Sequence, residues 1–166
     1  YYGTTTSGNY TSVIDVGKVT TYSITNPTTG VTYYVALTAY DTSGNESEKS
    51  NEVSVYVPVP DTTAPSIPTK PTAVVSKNSV VLKWVAVTDS DLAGYGIYDN
   101  GTLIATVGVM SSPTYTVTYL TDGSHTFTLD SFDTTGNRSA KSSETTVTID
   151  TTAPQAPTNL KITVSK

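Results

Sequence analysis

The run Gly30-Val-Thr-Tyr-Tyr-Val-Ala-Leu-Thr-Ala-Tyr-Asp-Thr-Ser-Gly-Asn-Glu-Ser47 sets Tyr33, Val35, Leu37 and Ala39 at every second position and then breaks at Asp41-Thr-Ser-Gly-Asn45. Side chains two apart line one face of a pleated strand, and Asp, Gly and Asn are residue types that turn a chain. A half-buried strand that closes in a tight turn is predicted here. Ala39 points in, so Tyr40 points out.

The turn recurs. Asp133-Thr-Thr-Gly-Asn137 repeats Asp41 to Asn45, and Asp150-Thr-Thr-Ala-Pro154 repeats Asp61-Thr-Thr-Ala-Pro65, each about 90 residues further on, a usual length for a small sandwich module. Phe132 is thereby the counterpart of Tyr40. Between the two Pro-containing motifs, strands are expected at 72–76, 79–85, 94–99, 102–107, 114–119, 124–131 and 142–149. Lys77-Asn78, Asn100-Gly101, Asp122-Gly123 and Gly136-Asn137 supply most of the turns. This spacing predicts an all-β fold of antiparallel sandwiches with no significant helix. One complete module spans 61–150. Residues 1–60 match only the later part of it, with Tyr1-Tyr2 set against Ile97-Tyr98, and form a first module without its first two strands. Residues 151–166 match the first strand of a third module, or a strand exchanged with another chain. There Leu160, Ile162 and Val164 alternate with no partner strand. The sequence has the look of a window on something longer.

Composition agrees. Ser and Thr make up about a third of the 166 residues, Tyr outnumbers Phe 12 to 2, and charged residues are 14%, against about 25% in ordinary globular chains. Thr, Val, Tyr and Ile suit a pleated surface, whereas strong helix formers are thin. No cysteine is present, so neither a disulfide framework nor a thiolate metal site can form. A net charge of −5 with scattered basic residues argues against a nucleic-acid partner, which draws on clustered Lys and Arg. No run of about 18 apolar residues is available to insert into a membrane.

With Trp84, the Gly30 to Ser47 run and the Pro-rich stretch Ala64-Pro-Ser-Ile-Pro68, the chain resembles tandem fibronectin type III domains of the kind found in bacterial secreted polysaccharide-degrading enzymes and cell-surface proteins. The resemblance covers essentially the whole chain. It implies immunoglobulin-like sandwiches outside the cell or on its surface. It also implies a tyrosine that ties its hydroxyl back to the chain at one corner. Tyr33 has that place in the first module, and His125 replaces it in the second. Trp84 is expected between the sheets, beside Val80, Leu82, Ile97, Phe127 and Leu129.

Catalysis finds little to work with. A nucleophile needs an adjacent base that is itself oriented, and the single histidine falls at a structural corner. No catalytic or cofactor-binding residue is assigned and no cofactor is required. The acidic residues Asp61, Asp89, Asp91 and Asp133 are expected near one pole, where the linker meets the loops. Oxygen ligands of this kind suit calcium, and the resemblance implies the same, since related bacterial surface modules with an Asp-Thr-Thr-Ala-Pro entry can bind it between domains. Tyr40 and Phe132, if exposed, offer rings to a sugar or a neighbouring module.

Three functions are compatible with this reading. The first is a non-catalytic extracellular spacer whose Pro-stiffened linkers hold neighbouring like modules at a fixed distance. The second is an adhesive or carbohydrate-binding accessory module of a secreted polysaccharide-degrading enzyme or adhesin, with carbohydrate or a surface protein as partner. The third is a filament subunit in which Leu160, Ile162 and Val164 pair with the incomplete module of an identical subunit.

Overall fold

Every strand pairing is antiparallel, and no helix occurs in the computed structural model, which describes residues 1–164. Two units divide the chain, Tyr1–Asp61 and a second beginning at Thr62. The first holds β1 (Tyr2–Gly3), β2 (Val31–Val35) and β3 (Val53–Val57) in one sheet of order β1-β2-β3.

The second unit carries β4 (Thr72–Ser76), β5 (Ser79–Lys83), β6 (Leu92–Asp99), β7 (Thr102–Gly108), β8 (Thr114–Val117), β9 (Gly123–Asp133) and β10 (Thr145–Ile149). They form a three-stranded sheet, β4-β5-β8, and a four-stranded sheet, β10-β9-β6-β7. Alternation builds the core between them. Val80 and Leu82 of β5 and Val117 of β8 face Tyr95 and Ile97 of β6, Phe127 and Leu129 of β9, and Ile149 of β10, all buried in one cluster with Trp84 and Leu92. The expected neighbours of Trp84 are there, and Tyr95 adds an edge-to-face contact at 5.3 Å.

Several boundaries differ from expectation for identifiable reasons. β5 ends at Lys83, so Trp84 lies just past it, although its N–H still donates to the Pro113 carbonyl at 3.3 Å. β8 ends at Val117 because Tyr119 takes φ 60°, outside the strand region. β10 starts at Thr145, since the Ser142 hydroxyl and N–H are already spent on Leu129 of β9.

The register of the first unit is one residue from the sequence alignment. Tyr2 opposes Val35 in the first unit and Asp99 opposes Phe127 in the second. Since Tyr33 corresponds to His125, Val35 corresponds to Phe127 and Tyr2 to Asp99. Tyr1 is therefore the counterpart of Tyr98, not of Ile97. A one-residue slip moves a side chain to the other face of the sheet, which takes Tyr1 out of the core and puts it on the outer face.

Residues 159–164 form no strand, and Leu160, Ile162 and Val164 are exposed. Without a partner an extended segment has no ladder to hold it. The expected strand at the tail also included residues 165–166, which lie outside the described residues.

Candidate functional site

The chemically dense part of the second unit is the outer face of β6 and β9 with the turn that follows β9. Alternation along β9 sends His125, Phe127, Leu129, Ser131 and Asp133 one way and Asp130 and Phe132 the other. Asp130 should then meet water, yet it is buried. Its Oδ2 accepts from the Tyr98 hydroxyl at 2.8 Å and from Arg138 Nε at 3.0 Å, while Oδ1 accepts from Arg138 Nη2 at 2.6 Å. Lys141 Nζ donates to Oδ2 at 3.1 Å and sits over the Tyr98 ring. Burial pushes the Asp130 carboxyl up, but hydrogen bonds from Arg138, Tyr98 and Lys141 outweigh it and hold the group below its ordinary range.

Gly96 makes this possible. A Cβ there would fall 2.3 Å from Arg138 Nη2 and 2.5 Å from Asp130 Oδ1, so the strand leaves its side-chain space to the ion cluster. The Gly96 N–H donates to Asp130 Oδ1 at 3.2 Å.

Phe132 lies over Gly94, and the Arg138 guanidinium stands 4.9 Å from its ring centroid. One face of this outward aromatic is thereby occupied by a cation. Tyr40 in the first unit is 60% exposed and donates its hydroxyl to Asp15 at 2.9 Å. The first unit repeats the outer-face plan with the charges moved: Glu46, not a strand residue, carries the acid. It accepts from Tyr1 at 2.7 Å and Thr38 at 2.6 Å, with Lys49 over the Tyr1 ring at 4.5 Å.

The corner residues also change as a pair. Tyr33 accepts the Thr28 N–H on its hydroxyl at 2.9 Å and stacks on Tyr2. In the second unit His125 and Asp99 replace both tyrosines, with Nδ1 2.7 Å from Asp99 Oδ2 and Nε2 3.0 Å from the Thr121 carbonyl. When the ring is charged both nitrogens donate, so each contact favours the imidazolium. The hydrogen bond to Asp99, then that to Thr121, raise the His125 pKa against the opposing effect of burial.

A pH prediction follows from this sign. The stabilisation is complete below the unfolded value of about 6.5 and is lost as pH rises through the higher folded value. No other side chain of this unit has an ordinary value in the neutral range. The melting temperature of the second unit should fall between about pH 6 and pH 9, and His125→Gln should remove that slope. A wild-type slope unchanged in the variant would disprove the assignment.

Three of the acidic loop residues, Asp133, Asp41 and Asp89, accept hydrogen bonds from nearby loop donors. Asp133 accepts on Oδ1 from Thr135 N, Thr135 Oγ1 and Asn137 N and on Oδ2 from Asn137 Nδ2, all at 2.8–2.9 Å. Asp41 closes the matching loop of the first unit through Ser43 N, Asn45 N and Asn45 Nδ2. Gly136, at φ 94°, and Gly44, at φ 83°, complete the two turns. Asp89 accepts from Ser66 N at 3.2 Å. Asp91 and Asp133 have carboxylate oxygens within 4.8 Å of one another, while Asp61 closes the other unit. Of the expected ligand set, the second unit alone brings only Asp91 and Asp133 together, and both Asp133 oxygens are engaged by its own loop. Sequence reasoning missed Asp99, Asp130, Arg138 and Lys141. Gly96 inside a strand was the available signal for a close approach.

No family model matches the chain. Exoglucanase B of Cellulomonas fimi is 36% identical over 91% of this chain. Chitinase A1 of Niallia circulans is 43% identical over 63% of it. The chain spans 15% of the first relative and 16% of the second. Among solved structures, the Clostridium thermocellum CbhA fibronectin(III)-like modules align with 48% of this chain and 93% of theirs, at 16% identity and a TM-score of 0.38. No helix among the described residues is long and apolar enough to cross a membrane.

Proposed function

Because the chain is built of tandem fibronectin type III-like modules, we infer that it is a non-catalytic accessory segment of a secreted polysaccharide-degrading enzyme, where it spaces and orients the other domains. The observation that carries this reading is the kind of relative it has. Similar stretches occur in an exoglucanase and in a chitinase, and they are a small part of each. A segment common to enzymes named for different polysaccharides is not where either choice of substrate is made. Function is argued from sites rather than from fold, and here the site supports a mechanical part. The one histidine has both nitrogens engaged in a structural corner, and the buried acid is neutralised by Arg138 and Lys141. Pro58, Pro60 and Pro65 restrict φ in the connecting segment, as suits a spacer.

The test is replacement within an enzyme that carries the segment. Deleting residues 1–166 should leave kcat/KM on a soluble oligosaccharide within about twofold and lower turnover of the insoluble polysaccharide severalfold. An unrelated rigid sandwich pair of equal length should restore the insoluble activity, and a Gly/Ser linker of the same residue count should not. Loss of activity on the soluble substrate would sink the reading. Restoration by neither insert, with direct retention of the isolated chain on the polysaccharide, would favour carbohydrate binding instead.

A further inference from the structure

The chain leaves the last strand of each unit past the same position, and the two units fill that position differently. Setting Tyr33 against His125 places Gly30 at Asp122, Val57 at Ile149, and Pro58-Val59-Pro60 at Asp150-Thr151-Thr152. The strand registers agree, since Val57 opposes Val31 and Ile149 opposes Gly123. The residue just before β2 or β9 therefore flanks the departing chain.

In the second unit this residue is an acid. Asp122 Oδ1 accepts from Thr151 N at 2.9 Å and from Thr151 Oγ1 at 2.6 Å, and Oδ2 accepts from Thr152 Oγ1 at 3.0 Å. Asp150 Oδ1 accepts from Thr152 N at 2.9 Å. The hydrogen bonds from Thr151, then that from Thr152, hold the Asp122 carboxyl below its ordinary range. It is ionised at neutral pH, and its bonds are charge-assisted.

The first unit holds its exit by other means. A Cβ on Gly30 would fall 2.9 Å from Val59 Cγ2, so Val59 lies over the glycine where Thr151 meets the acid. Val59 and Pro60 lack the two hydroxyls that Asp122 uses, and Pro58 and Pro60 fix φ on either side of Val59. The two sets do not mix. A carboxylate at position 30 would strike Val59, and a glycine at 122 would leave Thr151 and Thr152 without this acceptor.

We propose that Asp122, Thr151 and Thr152 form a clasp that fixes the direction in which the chain leaves the second unit, the polar counterpart of the Pro58-Val59-Pro60 exit of the first. The use of a fixed exit in orienting further domains rests on the spacer reading; the clasp itself does not. All three residues are exposed, so solvent screens the clasp and it adds little to global stability. Its effect is on local order.

The experiment measures backbone amide order parameters on the full chain by NMR relaxation. Thr151 and Thr152 should give about 0.8, close to the values of β10, whereas flexible chain lies below about 0.6. Asp122→Gly should drop both below about 0.6 while β9 and β10 keep their values, which shows that the sheet is intact. Thr151→Val with Thr152→Val leaves the turn before β9 untouched. It should lower the same two values, by less at residue 151, whose N–H still reaches Asp122. Asp122→Gly combined with Asp150→Pro, Thr151→Val and Thr152→Pro installs the set of the first unit and should return residue 151 to about 0.8. The measurement needs no enzyme, so its failure and that of the spacer reading are told apart. The proposal is overturned if Thr151 and Thr152 are already below about 0.6 in the wild type, or if they keep their values in both Asp122→Gly and the double valine variant. It is also overturned if the fourfold replacement leaves residue 151 as loose as Asp122→Gly alone.

Discussion

Trp84→Ala should cost the second unit about 3–5 kcal/mol, the range for emptying a large aromatic site in a core. The side chain is 7% exposed, packs edge-on against Tyr95 and belongs to the cluster that joins both sheets. With no disulfide to share the load, this cluster holds the sheets together. At about 4–8 °C per kcal/mol for a domain of this size, the calorimetric transition of the second unit should drop by more than ~12 °C. The first unit's transition should stay in place, since the cluster draws only on the second unit. Trp84→Phe separates packing from polarity. The indole Nε1 is buried with no hydrogen-bond partner among the described residues, so it carries an uncompensated desolvation cost. Phe keeps a ring against Tyr95 and removes that donor, and its loss should be well under half that of Ala. An unchanged transition in the Ala variant would place Trp84 outside the core, and equal losses in both variants would show that the indole N–H is satisfied.

The fold was legible because period-two alternation is local: Val80 and Leu82, or Phe127 and Leu129, announce an inward face whatever lies opposite. Trp84 is placed in the core through the family resemblance, and its inward position agrees with Val80 and Leu82. What alternation does not contain is register between distant strands. Asp99 meets His125 across 26 positions, and the Tyr2/Tyr33 to Asp99/His125 exchange becomes visible only once Tyr2 is set against Asp99. The same applies to Asp130, which alternation places on the solvent side. Tyr98, Arg138 and Lys141 cover it, and only the pairing of β6 with β9 and the turn at 133–138 bring them there. Leu37 illustrates the converse. Alternation sets it on the side of Tyr33 and Val35, but burial depends on a second sheet, and the first unit holds one sheet.

The Asp130 cluster permits a prediction in which the order of effects matters more than any one value. Asp130 is 3% exposed in its side chain, whereas Arg138 is 37% and Lys141 43% exposed. Removing the acid leaves two cations that reach water, and solvent screening makes that modest. Removing both cations leaves a buried carboxylate with only the Tyr98 hydroxyl and the Gly96 N–H, and an uncompensated buried charge is expensive. Arg138→Met with Lys141→Met should therefore destabilise the second unit by about 2–4 kcal/mol at pH 7, below the range for fully buried pairs because these cations are partly solvated. Asp130→Leu should cost less. The pH dependence separates this account from lost packing. In the wild type the depressed Asp130 pKa contributes stability that is present above the unfolded value near 3.9 and is lost as pH falls through the folded value. In the double variant only the Tyr98 and Gly96 hydrogen bonds still oppose burial, so the pKa rises above its wild-type position and the penalty is relieved as the carboxyl protonates at falling pH. The gap between variant and wild type in denaturant melts should shrink from pH 7 to about pH 4.5. A gap of constant size would assign the loss to the Arg138 stack on Phe132 and the Lys141 contact with Tyr98, and a larger cost for Asp130→Leu would reverse the electrostatic argument.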